Sequence, residues 1–341
     1  MGRTFTFVPA RDRPVWSTAP LTTRMVSPYR DRAGRMHIFA DSFDPSEQGR
    51  FQDRLSSWAA VQRYYSTADF ERFDDHGVAV GRGRWSGDPA TSDADCVGAG
   101  SPGVTVAGDR VLLFYAGRGP ADPAGPFEHS MNRADLPGQI MLAIAPADAH
   151  GAPAGPFVKQ GAMTDYGAPW RSIRHDDPRP VVTEDEILLF FKGIGPGDTY
   201  ANRVIGLART PIDRPAGPYA IHPEPVLRSD RGCESPRVFR VGDQWHMFVL
   251  RYSTPERPGM RRYGHYRGAD PFHWNLVNDD AYVTTSDRPG VGAADMCPVW
   301  TPFEDGPPRL ALANRIDDGT FGDPGLFKQW LWEIREVPAV R

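Results

Sequence analysis

One motif recurs along the whole chain and constrains its fold more than any other feature. A small or acidic residue precedes proline, and a short β run, a polar turn and a second apolar run follow. The motif stands at Ser27-Pro28, Ser101-Pro102, Asp177-Pro178, Ser235-Pro236 and Cys297-Pro298, with second runs such as Arg110 to Phe114, Ile187 to Phe191 and Gln244 to Phe248. The third and fourth strands echo as well. Gln139 to Ile144 leads to Ala154-Gly155-Pro156-Phe157, and Val204 to Ala208 leads to Ala216-Gly217-Pro218-Tyr219. These echoes set a period of roughly sixty residues, which is the signature of like units arrayed side by side.

Five such units imply an all-β, five-bladed β-propeller. No linker or composition shift divides the 341 residues, so a single domain over 1–341 is expected. An open sheet edge invites aggregation, so the ring must close, and Thr4 to Val8 is the strand available to complete the last blade. The content of 35 Gly and 34 Pro supplies the turns this needs, and 40% hydrophobic residues supply the core. No apolar run reaches membrane-spanning length, and a formal net charge of -4 without a basic cluster argues against nucleic acid. No membrane partner is expected either. The opening Met1 to Phe7 lacks the layout of a secretory signal, and Cys96, Cys233 and Cys297 have no metal-ligand spacing. Reduced thiols and a cytoplasmic location are therefore expected. The oligomeric state is not legible.

In a propeller the first strand of each blade lines the central channel, which places the residues before proline in a ring. Most of that ring is small: Ser27, Ser101, Ser235 and Cys297. Asp177 is an exception, and Glu234, two residues before Pro236, is a second acid. Two carboxylates converging on a pocket are what glycosidic cleavage needs, one of them as proton donor. An isolated Asp-Pro is also an ordinary turn former.

Asp177-Pro178, Glu234-Ser235-Pro236 and the Gly-Pro-aromatic strand ends at 155–157 and 217–219 resemble the five-bladed propeller glycoside hydrolases, family 43 and its relatives in families 32, 62, 68, 117 and 130. The resemblance implies hydrolysis of a terminal glycosidic bond in the manner of an arabinofuranosidase or xylosidase. It makes Glu234 the general acid and Asp177 the residue that tunes and orients it. The family's base precedes the proline of blade one, where this chain has Ser27. A serine does not deprotonate water unaided. Asp95, Asp41 and Asp295 are the substitutes considered, each equally the type of residue found in a solvated turn. Arg118, Lys192, Arg251 and Arg315 near the ends of second strands would suit phosphate as nucleophile or an acidic sugar. Their alternative role is to neutralise the ring acids.

His175 and His265 are candidates to hold water or a metal at the channel centre, and some family 43 members are similar in placing a structural calcium there. No cofactor is required for the chemistry. Trp170 is a candidate to stack on a sugar face, or else to pack between blades. The insertions 44–57, 119–138 and 255–262 would close one end of the pocket and favour exo-action. A carbohydrate is the expected partner, and the reading from another class is a catalytically silent propeller that binds a sugar or a protein.

Overall fold

Short apolar runs separated by polar turns pair with their sequence neighbours because a tight turn brings the next run back alongside at little entropic cost. In the computed structural model the described residues are 3–11, 13–16, 22–43, 59–122, 136–197, 200–251, 262–278, 292–303, 306–316 and 329–338. The first meander is β2 (Thr22–Arg30), β3 (Met36–Phe43), β4 (Val61–Thr67) and β5 (Asp74–Val80). The second is β6 (Gly98–Ala107), β7 (Arg110–Arg118), β8 (Gly138–Pro146) and β9 (Val158–Ala162). The third, β10 (Arg174–Val182), β11 (Glu186–Ile194), β12 (Val204–Pro211) and β13 (Ala220–Ile221), touches the second through one parallel pair, Arg174 with Gly138. The fourth is β14 (Cys233–Val241), β15 (Gln244–Arg251), β16 (Arg262–Gly268) and β17 (Asn275–Asn278).

The last sheet joins the two ends of the chain. Its strands β18 (Gly292–Pro298), β19 (Leu310–Ile316) and β20 (Gln329–Pro338) are completed by β1 (Arg3–Pro9), antiparallel to β20 from Arg3–Pro338 to Pro9–Trp332. The expected closing strand is therefore in place. The first strands touch in the order β2, β6, β10, β14, β18 and back to β2, and this makes the molecule a β-propeller.

Hydrophobic clusters fill the wedges between units. Leu142, Trp170 and Phe191 pack between the second and third units, and Phe190, Val238 and Met247 between the third and fourth. Phe5 and Phe7 of the closing strand pack edge-on against Phe248, with ring centroids 6.1 and 5.1 Å apart. Nearer the axis there is little room. A Cβ on Gly103 would lie 2.2 Å from the carbonyl oxygen of Pro178, so β6 and β10 meet there backbone to backbone. Gly103→Ala is expected to lower stability by about 1–3 kcal/mol through overpacking, read as a lower urea midpoint with an unchanged slope.

The register of the first strands revises the ring. Each of these strands carries a β-bulge opposite its neighbour, between Thr23 and Val26, Gly100 and Gly103, Asp176 and Arg179, Glu234 and Arg237, and Ala294 and Cys297. The bulged pairs are thus Arg24-Met25, Ser101-Pro102, Asp177-Pro178, Ser235-Pro236 and Asp295-Met296. Ser27-Pro28 and Cys297-Pro298 instead sit in regular pairing, opposite Phe39-Ile38 and Leu312-Ala311. The extra backbone residue defines the ring position, and proline occupies it in only three units.

Candidate active site

Ser101, Asp177 and Ser235 adopt left-handed φ of 49°, 55° and 53° at equivalent bulge positions. That conformation costs a non-glycine residue about 1–3 kcal/mol and persists where its surroundings fix it. At Ser235 and Ser101 an acid of the neighbouring unit accepts from the backbone amide. The Ser235 amide and hydroxyl donate to Asp177 Oδ2 at 3.1 and 3.3 Å. Asp41 acts similarly between the first two units, accepting from the Met25 amide at 2.6 Å and the Ser101 amide at 3.5 Å.

Lys192 is the centre of the cluster. Its Nζ lies 3.0 Å from Asp177 Oδ2, 3.0 Å from Glu234 Oε2 and 3.6 Å from Asp176 Oδ2. Those carboxylate oxygens of Asp177 and Glu234 are therefore no more than about 6 Å apart. Arg203 Nη1 adds a second cation at 3.3 Å from Glu234 Oε2. Arg174 Nε donates to Asp176 Oδ2 at 2.8 Å, and Arg118 Nη2 stands 3.7 Å from Asp176 Oδ1. Asp176 Oδ1 makes no hydrogen bond, although it is buried. All of these groups are buried.

Burial alone would raise the Asp176 pKa, but Lys192, Arg174 and Arg118 outweigh it and hold the carboxyl well below its usual range. Burial likewise opposes the Lys192 ammonium, and Asp177, Glu234 and Asp176 outweigh it and raise its pKa. Cys233 is pushed up to about 12 by burial, which removes it as a nucleophile.

Asp177, Glu234, Lys192 and Arg118 thus come together as expected. Sequence reading missed Asp176, Arg174 and Arg203. The register places Asp176, not Asp177, at the backbone position of Glu234, and Asp177 at that of Ser235. An Arg-x-Asp spacing on one strand face was the available signal for Arg174 and Asp176, because alternate side chains share a side.

Other candidates fall elsewhere. Asp95 accepts from Tyr115 Oη at 2.9 Å and Lys159 Nζ at 2.6 Å, and so is tied to the outermost strand of its unit. Ser27 Oγ accepts from the Val104 amide at 3.0 Å and ties β2 to β6. Arg251 donates to Ser229 Oγ at 3.1 Å and Asp230 Oδ1 at 2.9 Å.

His175 has both ring nitrogens engaged at 2.8 Å, by Thr164 Oγ1 and the Arg171 carbonyl, and burial lowers its pKa to about 4. Both ring nitrogens are thus committed within the protein. His265 lies on a third strand, 3.0 Å from His246 Nδ1, and so is away from the axis. Trp170 is buried between units, and its Nε1 donates to the Pro223 carbonyl at 3.1 Å. Asp295 occupies the bulge position equivalent to Asp177, but its side chain and that of Arg315 lie outside the described residues. Most of the three insertions lies outside them too.

The described residues give the expected calcium no ready-made cage. Two arginines, Arg179 and Arg237, project among the first strands, and among the described residues no group of three His, Cys, Asp or Glu side chains is arranged to hold a metal. Calcium is held by oxygen ligands, and the side chain of Asp295, the remaining acid at a bulge position, lies outside the described residues.

No protein-family model matches the sequence, and no curated protein matches it. Solved structures do match in fold. A family 117 glycoside hydrolase from the marine bacterium Zobellia galactanivorans aligns with a TM-score of 0.67 at 17% identity, over 97% of this chain and 90% of that one. The catalytic domain of a Coprinopsis cinerea GH62 α-L-arabinofuranosidase aligns at 0.58 and 11% identity, over 97% and 96%. An inulosucrase from Halalkalicoccus jeotgali bound to kestose aligns at 0.62 and 16% identity, over 98% and 88%. The resemblance read from the sequence therefore holds at the level of fold, and the chain is a β-propeller of the architecture found in these carbohydrate-active enzymes.

Proposed function

We propose that this protein is a glycoside hydrolase that cleaves a terminal glycosidic bond, with Glu234 as general acid and Asp177 beside it. The observation that carries the reading is the single buried ammonium, Lys192, shared at 3.0 Å by Asp177 and Glu234. Buried carboxylates this close are a costly arrangement, of the kind that proton transfer at a glycosidic oxygen requires. The buried Asp176 Oδ1, without a hydrogen bond and facing Arg118, suits a sugar hydroxyl as donor. Asp41 and Asp295 are the acids left for the base. The terminal site of attack rests on the three insertions. An arabinofuranosidase-like or xylosidase-like specificity rests on fold resemblance alone.

A second reading has its own observation. Among the described residues four cations, Arg118, Arg174, Lys192 and Arg203, gather on the three carboxylates Asp176, Asp177 and Glu234. Lys192 and Arg203 both stand against Glu234 Oε2, so the acid role requires the substrate to draw these cations away. An anionic group does this more readily than a neutral hydroxyl. Phosphate as the nucleophile, or an acidic sugar as the substrate, fits that requirement.

The test is release of sugar from a panel of aryl and oligosaccharide glycosides, neutral and acidic, with and without phosphate. Glu234→Gln is expected to lower turnover by about 10²–10⁴-fold while thermal unfolding shows a folded protein. Dependence on phosphate would assign phosphorolysis. Undiminished turnover by the variant would remove Glu234 from the chemistry.

A further inference from the structure

One residue past each bulge, the third and fourth units present arginines to the axis, Arg179 of β10 and Arg237 of β14. Both are buried, each 5% exposed. Arg179 reaches across the ring to Trp300 of the last unit, with its guanidinium carbon 3.1 Å from a ring centroid. The third and last units are not neighbours in the ring, so this guanidinium lies in the channel itself. Its Nε and Nη1 have no hydrogen-bond partner. Arg237 donates to the Pro236 carbonyl at 3.2 Å and to Cys297 Sγ at 3.4 Å.

A buried charged group without a hydrogen-bonded counter-charge is strongly unfavourable. An aromatic face returns only a fraction of that cost. Burial, then the proximity of Arg237, depresses the Arg179 pKa. A guanidinium does not give up its proton under ordinary conditions, so the charge calls for an anion.

We propose that the propeller channel holds a small monovalent anion of the halide class, bound at one of the uncommitted nitrogens of Arg179, Nε or Nη1. The donor set argues against a larger oxyanion. Arg179 offers two uncommitted nitrogens on different edges of its guanidinium, the Arg237 donors named above already have acceptors, and Trp300 and Cys297 supply apolar or weakly polar walls. Phosphate and sulfate want more donors than this. The site shares no side chain with the Lys192 cluster and does not depend on the proposed activity.

The probes are bromide and chloride. Crystals soaked in sodium bromide are expected to show an anomalous peak within hydrogen-bond range of Arg179 Nε or Nη1. In solution the melting temperature should rise by a few degrees when chloride replaces gluconate at constant ionic strength. Arg179→Met is expected to raise the melting temperature in gluconate and to abolish the chloride response. A channel with no bromide peak would overturn the proposal, as would an equal chloride response in Arg179→Met. Should that variant not fold, the bromide experiment on the wild-type protein decides alone.

Discussion

Lys192→Met is expected to lower the unfolding free energy by about 3–5 kcal/mol and to leave little turnover. The substitution keeps the length of the side chain and removes its charge. Asp177 then loses a cation 3.0 Å away, and Asp176 and Glu234 lose the charge between them. Arg118, Arg174 and Arg203 remain, but they face Asp176 and Glu234 from outside the shared centre. Lys192→Arg should recover part of the stability and little activity, because a planar fork does not reproduce a point charge equidistant from two acids. Urea unfolding at neutral pH measures the effect. An unchanged midpoint for Lys192→Met would mean that the cluster is not held by this ammonium.

The second large effect is a loss of stability in mild acid. Burial lowers the pKa of His175 to about 4, of His246 to about 4 and of His265 to about 3. Their ordinary value is about 6.5. Below that pH the unfolded chain binds protons that the folded chain refuses, so stability falls with falling pH until the folded values are reached. At pH 5 each of these histidines removes about 2 kcal/mol. The cation-held Asp176 has the opposite timing. Its pKa is depressed, so its contribution persists through this range and is lost only in stronger acid. Unfolding free energy measured from pH 7 to 5 should therefore decline steeply, and His265→Phe should flatten the slope by about one proton. An unaltered slope in that variant would show that His265 is not held neutral.

Strand existence, the closing role of the N-terminal segment and the convergence of Asp177 and Glu234 were legible in the sequence. Alternation and turn residues report which backbone pairs with its neighbour, and they report it locally. The ring register was not legible at two of its five positions. Proline marks the bulge at Ser101, Asp177 and Ser235, whereas at Ser27 and Cys297 it lies in an ordinary stretch of strand. A bulge is a property of pairing between strands, and no residue type is obliged to occupy it.

The same limit governed the histidines and Trp170. Adjacency to Asp176 in the chain suggested a polar site for His175, but successive strand residues face opposite sides, and it packs beside Phe191. Asp95 was drawn outward by Lys159, a partner sixty-four residues away. Asp176 was overlooked because its neighbour carried the motif. Its pairing opposite Lys192 supplies what the motif did not.

The most direct test of Glu234 as proton donor is its dependence on the leaving group. Turnover of wild type and Glu234→Gln should be compared on two glycosides of the same sugar, one with a dinitrophenyl group that departs without protonation and one with an alkyl or sugar alcohol that needs it. A general acid contributes about 10²–10⁴-fold only where the departing oxygen must be protonated. The expected result is a loss of that size on the poor leaving group and a far smaller loss on dinitrophenol. Equal losses on both would contradict the assignment and place Glu234 in binding or in holding Lys192.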